Sequence, residues 1–292
     1  MKSVEKILVI RHGALGDFCM ATGAMKAIRE RYPQVRIVLM TQAFLVDLGR
    51  RLGFFDEIVV DNRSRSPFAI LATLSRIARG GYDLVYDLQG THRTRRTYRF
   101  GARLFGCCGR WIAVGDASFD IGFPTPDISC IHGDNKIVDS LPKRYALLVP
   151  GCSPTNPEKR WPAQNYRELS IWLGVRGISS VVLGTKSEAA EIAAICTDNP
   201  HAVNFMGKSK LVDIPDLARG AELVVGNDTG PTHMCRLAGA KTVLLLPAKI
   251  AHLNRAASGL QILMEEIVST ISIERVTAAI GRLTDRAAEC VE

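Results

Sequence analysis

The sequence has no Gly-x-Gly-x-x-Gly, which argues against a dinucleotide-dependent oxidoreductase. It has no Asp-x-Asp, so no obvious carboxylate pair stands ready to hold a diphosphate through a metal ion. No apolar run approaches the length of a membrane span. The run nearest the N-terminus, Ile7 to Ile10, ends at Arg11 and is too short for the core of a signal peptide. Cysteines occur at positions 19, 107, 108, 130, 152, 196, 235 and 290, with no Cys-x-x-Cys and no zinc spacing to the six histidines. Reduced thiols in a cytoplasmic protein are therefore expected. Low-complexity segments and short repeats are also missing.

What is present is ordinary globular composition, 47% hydrophobic and 23% charged, over 292 residues. That is enough for two domains of usual size, each with a core. The net charge of +8 is unevenly divided. Residues 1–145 hold 22 Lys/Arg and 14 Asp/Glu, whereas residues 146–292 hold 15 of each. The densest cluster, Thr91 to Arg110, has Arg93, Arg95, Arg96, Arg99, Arg103 and Arg110 and no acid. It reads either as a solvated helix face or as a surface for an anionic partner such as phosphorylated lipid or acidic sugar. No aromatic-interleaved or RNA-module pattern accompanies it, so nucleic acid is not an expected partner.

Short apolar runs of strand type alternate with helical periodicity along both halves. Strands are predicted at 6–10, 36–40, 57–60, 84–87 and 111–114, and again at 145–149, 179–183, near Val203, at 223–225 and at 242–246. Helices are predicted over 17–31, 44–52, 68–79, the basic stretch, 164–173, 187–196, 214–219, from Pro231 onward, and 273–283. The pattern lapses over 115–144, which is rich in Gly, Pro, Asp and Ser. The expectation is two α/β domains, 1–144 and 145–292, each a doubly wound parallel sheet, with ligands bound beyond the carboxyl ends of the strands in a cleft between the halves.

Leu223 to Leu237 organises the second half. An apolar run is broken by Gly226 and Asn227. Asp228 and Thr229 are good N-cap types, and Pro231 suits a first helical turn. Free N–H groups at such a helix start form an anion site, and Gly230 lets a phosphate approach closely. His233, one turn in, either faces that ligand or packs. In the first half, R-H-G-A-L-G-D-F at 11–18 joins the first strand to the first helix. There Asp17 is either a helix cap or a general base. Lys159 and Arg160, in the rigid loop P-E-K-R-W-P, are exposed loop charge or cations for a departing phosphate. Glu188 favours a helix dipole or binds a ribose. Ala202 to Ser209 fits P-loop spacing loosely, but Ala202 replaces the first glycine and the preceding strand is very short, so that reading is set aside.

Taken in order, these motifs resemble glycosyltransferase family 9, the bacterial lipopolysaccharide heptosyltransferases. The residues that carry the resemblance are G-A-L-G-D at 13–17, G-Y-D-L-V-Y-D-L-Q-G at 81–90, V-P-G-C-S and E-K-R-W-P within 149–162, L-G-T-K-S-E at 183–188, N-F-M-G-K-S-K-L at 204–211 and V-G-N-D-T-G-P-T-H at 225–233. The resemblance implies a GT-B fold, with acceptor held by residues 1–144 and nucleotide-sugar donor by residues 145–292. It implies inverting transfer from an ADP-heptose donor to an acidic glycolipid acceptor of the lipid A–Kdo type, with no metal and no cofactor, in the cytoplasm beside the inner membrane. By the same resemblance Asp17 is the base and Lys159 stabilises the leaving diphosphate. Glu188, Asp228, Thr229, Gly230 and His233 bind the donor. Gly16, Gln89, Arg93 and Arg96 bind the acceptor. The chain departs from the family where residues 100–144 are short and where strand 242–246 runs into L-L-P-A-K and an atypical segment, 250–259. Competing readings are a GT-B enzyme with another donor, an epimerase-like relative, and a non-catalytic binder of nucleotide or glycolipid.

Overall fold

The computed structural model describes residues 3–107, 109–153, 156–253 and 258–285. It divides into two units, residues 1–131 and 132–292. The first unit contains β1 (Lys6–Ile10), α1 (Leu15–Met20), α2 (Thr22–Arg31), β2 (Arg36–Thr41), α3 (Val46–Leu52), β3 (Glu57–Val60), α4 (Pro67–Arg79), β4 (Leu84–Asp87), α5 (Arg99–Leu104) and β5 (Arg110–Ala113). Its strands lie in the order β3-β2-β1-β4-β5, all parallel. In β1, Ile7 to Ile10 are all buried, as expected of a strand covered by helices on both faces. Ile10 stands opposite Met40 and Asp87, so the chain leaving β1 runs beside the chain leaving β4. That register brings Gln89 under the turn at His12 and Gly13.

The predicted single helix over 17–31 is two. It breaks at Ala21, where the Thr22 hydroxyl donates to Cys19 O (2.7 Å) and accepts from Asp127 N (2.9 Å). Residues 124–127 press on the start of α2 so closely that a Cβ on Gly23 would lie 2.4 Å from Pro124 O. Asp17 is not the cap of α1. Ala14 occupies that position, and Asp17 falls in the first turn.

The second unit contains α6 (Asn135–Asp139), β6 (Tyr145–Val149), α7 (Ala163–Gly174), β7 (Ser179–Val182), α8 (Ala189–Cys196), β8 (Ala202–Asn204), α9 (Ile214–Gly220), β9 (Leu223–Asn227), α10 (Gly230–Leu237), β10 (Thr242–Pro247), β11 (Leu260–Glu265) and α11 (Ile273–Asp285). Its sheet is parallel, in the order β11-β10-β9-β6-β7-β8. The core joins Leu148, Val225 and Leu245 of the central strands to Leu169 and Leu173 of α7 and to Val276 and Ile280 of α11.

The unit begins at His132 rather than at 145, because residues 132–139 are tied to α9 and the turn before it. Gly133 N donates to Asp216 (2.7 Å), and Asp134 N donates to Asp213 (3.1 Å). Strand β11 has no counterpart in the sequence reading. It is an edge strand whose apolar run is interrupted by Gln261, and only Leu260 and Leu263 are buried, so no period-2 alternation marks it. Within the atypical segment, residues 254–257 lie outside the described residues. The cysteines at 19, 107, 130, 152, 196 and 235 are not joined in disulfides, and those at 108 and 290 lie outside the described residues. No helix among the described residues is long and apolar enough to cross a membrane.

Candidate active site

In the second unit the site is assembled by Asn227, the last residue of β9. Gly226 and Asn227 continue the strand instead of breaking it, with Gly226 in register with Val149 and Leu244. Gly226 is required there. A Cβ would meet Thr232 Oγ1 at 2.5 Å and Val149 Cβ at 2.9 Å, so the start of α10 rests directly on the strand. The fully buried Asn227 accepts through Oδ1 from Trp161 N (3.2 Å) and from the Tyr166 hydroxyl (3.1 Å). Its Nδ2 donates to Pro150 O (2.8 Å). Trp161 Nε1 in turn donates to Ile271 O (2.7 Å), and its ring meets Tyr166 edge-on at 4.8 Å. One side chain thus fixes both ends of the 150–162 loop to the end of β9.

Asn227→Ala strands several buried partners at once, each costing about 1–3 kcal/mol when left unpaired. We expect a loss of roughly 3 kcal/mol of stability, measured by urea unfolding. A loss below about 0.5 kcal/mol, the scale of a neutral surface change, would refute this account of the loop.

The pinned loop delivers Lys159 to Asp228. Lys159 Nζ lies 2.7 Å from Asp228 Oδ2, and His233 Nε2 lies 2.9 Å from Asp228 Oδ1. Burial alone would raise the Asp228 pKa, but hydrogen bonds from His233 and Lys159 outweigh it and hold it at about 2. The carboxylate is therefore ionised at neutral pH and anchors both basic side chains beside the first turn of α10. Thr229 is the N-cap, yet no side chain caps the helix; the Thr229 hydroxyl sits instead 3.2 Å from that of Thr232. Gly230 and Pro231 open the helix.

Next to this helix start is a cavity of about 280 Å³. Glu188, Thr229 and Pro231 line it together with Gly151, Ser209 and Lys210. Glu188 lies in a capping box. Its Oε2 accepts from Thr185 N (2.8 Å) and Thr185 Oγ1 (2.6 Å), and its Oε1 accepts from Ser187 Oγ (2.7 Å). Burial raises its pKa, but these bonds bring it below the usual carboxylate range. Ser209 and Lys210 were not singled out from sequence. The G-K-S-K-L stretch that suggested a P-loop brings them to this wall, whereas Lys208 is exposed near the Phe205 ring.

In the first unit Asp17 borders a separate cavity of about 200 Å³, with Arg11, Met20, Leu88, Phe119 and Phe123 on its walls. The Asp17 carboxylate is 65% exposed and only 3.9 Å from Arg11. Arg11 is a positioning group, because its guanidinium donates to Leu88 O (2.6 Å) and Asp17 O (2.7 Å). Gly16 is in the same first turn of α1. Gln89 Oε1 accepts from His12 N (3.0 Å) and Gly13 N (3.2 Å), bracing the turn that carries Asp17. Arg93 points inward, donating to Arg63 O (3.0 Å), Ser64 O (2.6 Å) and the Tyr98 hydroxyl (2.9 Å). Arg96 is exposed. Among the described residues no group of three or more His, Cys, Asp or Glu side chains is arranged to hold a metal ion.

Two parallel-sheet units, one with Asp17 just past its first strand and one with the Lys159–Asp228–His233 array at a helix start, make up a GT-B-like fold. Residues 116–245 match the family model of glycosyltransferase family 9 (heptosyltransferase). In sequence and in fold the chain is similar to that family. It is 21% identical over 277 residues to the lipopolysaccharide core heptosyltransferase OpsX of Haemophilus influenzae, spanning 82% of this chain and 78% of that protein. Among solved structures it resembles the family 9 glycosyl transferase of Veillonella parvula, with a TM-score of 0.77, 16% identity, and 96% and 97% of the two chains covered. It also resembles the E. coli heptosyltransferase WaaC with ADP-2-deoxy-2-fluoro heptose, with a TM-score of 0.71, 14% identity, and 95% and 99% covered.

Proposed function

We propose that the protein transfers heptose from ADP-heptose to an acidic inner-core lipopolysaccharide acceptor of the lipid A–Kdo type, with inversion at the anomeric carbon and without a metal ion. The observation that carries this reading is the Lys159–Asp228–His233 array at the uncapped start of α10, beside the Glu188 cavity. Nucleotide occupies that cavity, with Glu188 as acceptor for ribose hydroxyls. The diphosphate lies on Thr229 and Gly230 at the positive end of the helix. The WaaC structure with an ADP-heptose analogue supports the choice of donor, and the name of OpsX supports the choice of acceptor.

Asp17 takes the proton from the acceptor hydroxyl as its oxygen attacks the anomeric carbon. The bond from that carbon to the diphosphate oxygen breaks on the opposite side, and ADP leaves with the electron pair. Lys159 and the α10 N–H groups take up the developing charge, the task that a metal performs elsewhere. Gly16 and Arg96 meet the acceptor, while Gln89 and Arg93 hold the backbone around it. The excess positive charge of residues 1–145 suits an anionic glycolipid and peripheral contact with the inner face of the inner membrane, from the cytoplasmic side.

Thermal stabilisation by ADP, UDP, GDP, CMP and NAD, each with and without Mg²⁺, tests the donor. A nucleotide at 100 times its dissociation constant adds about 2.7 kcal/mol. ADP is expected to stabilise best, equally with and without Mg²⁺. Preference for UDP or GDP would overturn the heptose donor and favour another nucleotide sugar. No response to any nucleotide would favour a non-catalytic binder of glycolipid.

A further inference from the structure

The outer face of α4 and α5 is aromatic, aliphatic and cationic at once, and the transfer reaction uses none of its apolar side chains. Phe68 is 83% exposed, Phe100 58% and Leu104 88%, and Leu71 and Phe105 are about half exposed. All five lie on or directly beside these two helices. The helices touch where Gly101 meets Leu74, with no room for a Cβ between them. Single exposed apolar residues are normal on a protein surface, but a cluster of this kind on one pair of helices marks an interaction site.

The helix geometry concentrates the cluster. Residues 93–98, just before α5, form a π-helical turn. Along a helix, side chains four apart lie on the same face. His92, Arg96, Phe100 and Leu104 accordingly form one exposed row, while Thr94, Tyr98 and Ala102 face the core. Charge follows the same direction. Between Asp61 and Asp116 the chain has ten arginines and two acids, Asp83 and Asp87. Asp87 is fully buried, and Asp83 is occupied by the backbone N–H groups of Glu5 and Lys6. Arg95 and Arg99 share the single carboxylate of Asp116, which offsets one of their two charges. Arg65, Arg96 and Arg103 remain exposed beside the apolar row.

We infer that this face docks on an anionic phospholipid bilayer, with Phe100 and Leu104 entering the headgroup–acyl boundary and the arginines meeting lipid phosphates. The absence of exposed acid argues for a negatively charged partner, and the apolar side chains argue for one that also offers hydrocarbon. The inference deepens the proposed membrane contact and rests on that reading.

The test is co-sedimentation of the full-length chain with phosphatidylcholine vesicles, with and without phosphatidylglycerol. The wild type is compared with Phe100→Ser/Leu104→Ser and with Arg103→Gln. The expected result is binding to the phosphatidylglycerol vesicles only, falling as salt rises. The double variant should bind about tenfold more weakly, and Arg103→Gln should show a shallower salt dependence. ADP-induced thermal stabilisation is measured on every variant. Its retention shows that the fold and donor site are intact, so its loss in the wild type would count against the donor reading and not against docking. Equal binding by the wild type and the double variant, no binding to the phosphatidylglycerol vesicles, or equal binding to neutral vesicles would overturn the inference. So would a change in oligomeric state of the double variant without a change in lipid binding, which would mark the face as a contact between copies.

Discussion

Asp17→Asn is expected to lower sugar transfer by about 10²–10⁴, the range a positioned general base contributes. The substitution keeps shape and removes only the ability to take a proton. Little stability should be lost, because the carboxylate is 65% exposed and its one charged neighbour, Arg11, is 3.9 Å away. Stabilisation by ADP should be unchanged, because every residue assigned to nucleotide lies in the second unit. Transfer to the acceptor under saturating donor is the measurement. Activity within a few fold of the wild type would remove Asp17 from the mechanism. A full loss with intact ADP binding would dispose of the non-catalytic reading, since a scaffold does not need a base.

The second large effect is at Lys159. Lys159→Ala is expected to reduce kcat by about 10²–10³, the usual loss when one group that stabilises a leaving oxyanion is removed. ADP affinity should weaken as well, because the free product keeps the charge that Lys159 meets. The pH dependence of stability gives an independent check. The Asp228 pKa is depressed in the folded protein to about 2. It therefore contributes stability that is fully present above the unfolded value of about 4 and is lost as pH falls through the folded one. Without Lys159 the depression shrinks, so the variant should lose less stability on acidification over that window. Unaltered kcat with weakened ADP binding would make Lys159 a binding residue alone.

Much of this was legible from residue order. The alternation of apolar runs and helical periodicity gave both parallel sheets, because central strands buried on both faces leave unbroken apolar stretches such as Ile7 to Ile10 and Leu244 to Leu246. The edge strand β11 was not legible, since part of each face meets solvent and its pattern resembles a loop. The break at Ala21 was hidden because its cause, contact with residues 124–127, lies a hundred positions away.

At the site, the residue types that attract anions were visible from spacing. The groups that aim them were not. Asn227 read as part of the break after a strand, although it holds the loop that carries Lys159. Arg93 read as a cation for the acceptor, and its guanidinium is engaged by Arg63 O, Ser64 O and the Tyr98 hydroxyl. Residue type and spacing report charge, but which charges remain available is decided by partners distant in sequence.

The contact between Gly226 and Thr232 gives the site a kind of ruler. The distance between strand β9 and the first turn of α10 is set by an atom that is missing, and one methyl group at 226 would wedge the helix start away from the strand. The N–H groups of the first turn of α10 would move with it, while the side chains of Lys159, Asp228 and His233 stayed the same. Gly226 is thus a calibration point. Any change there would have to be answered in Thr232 and Val149 together.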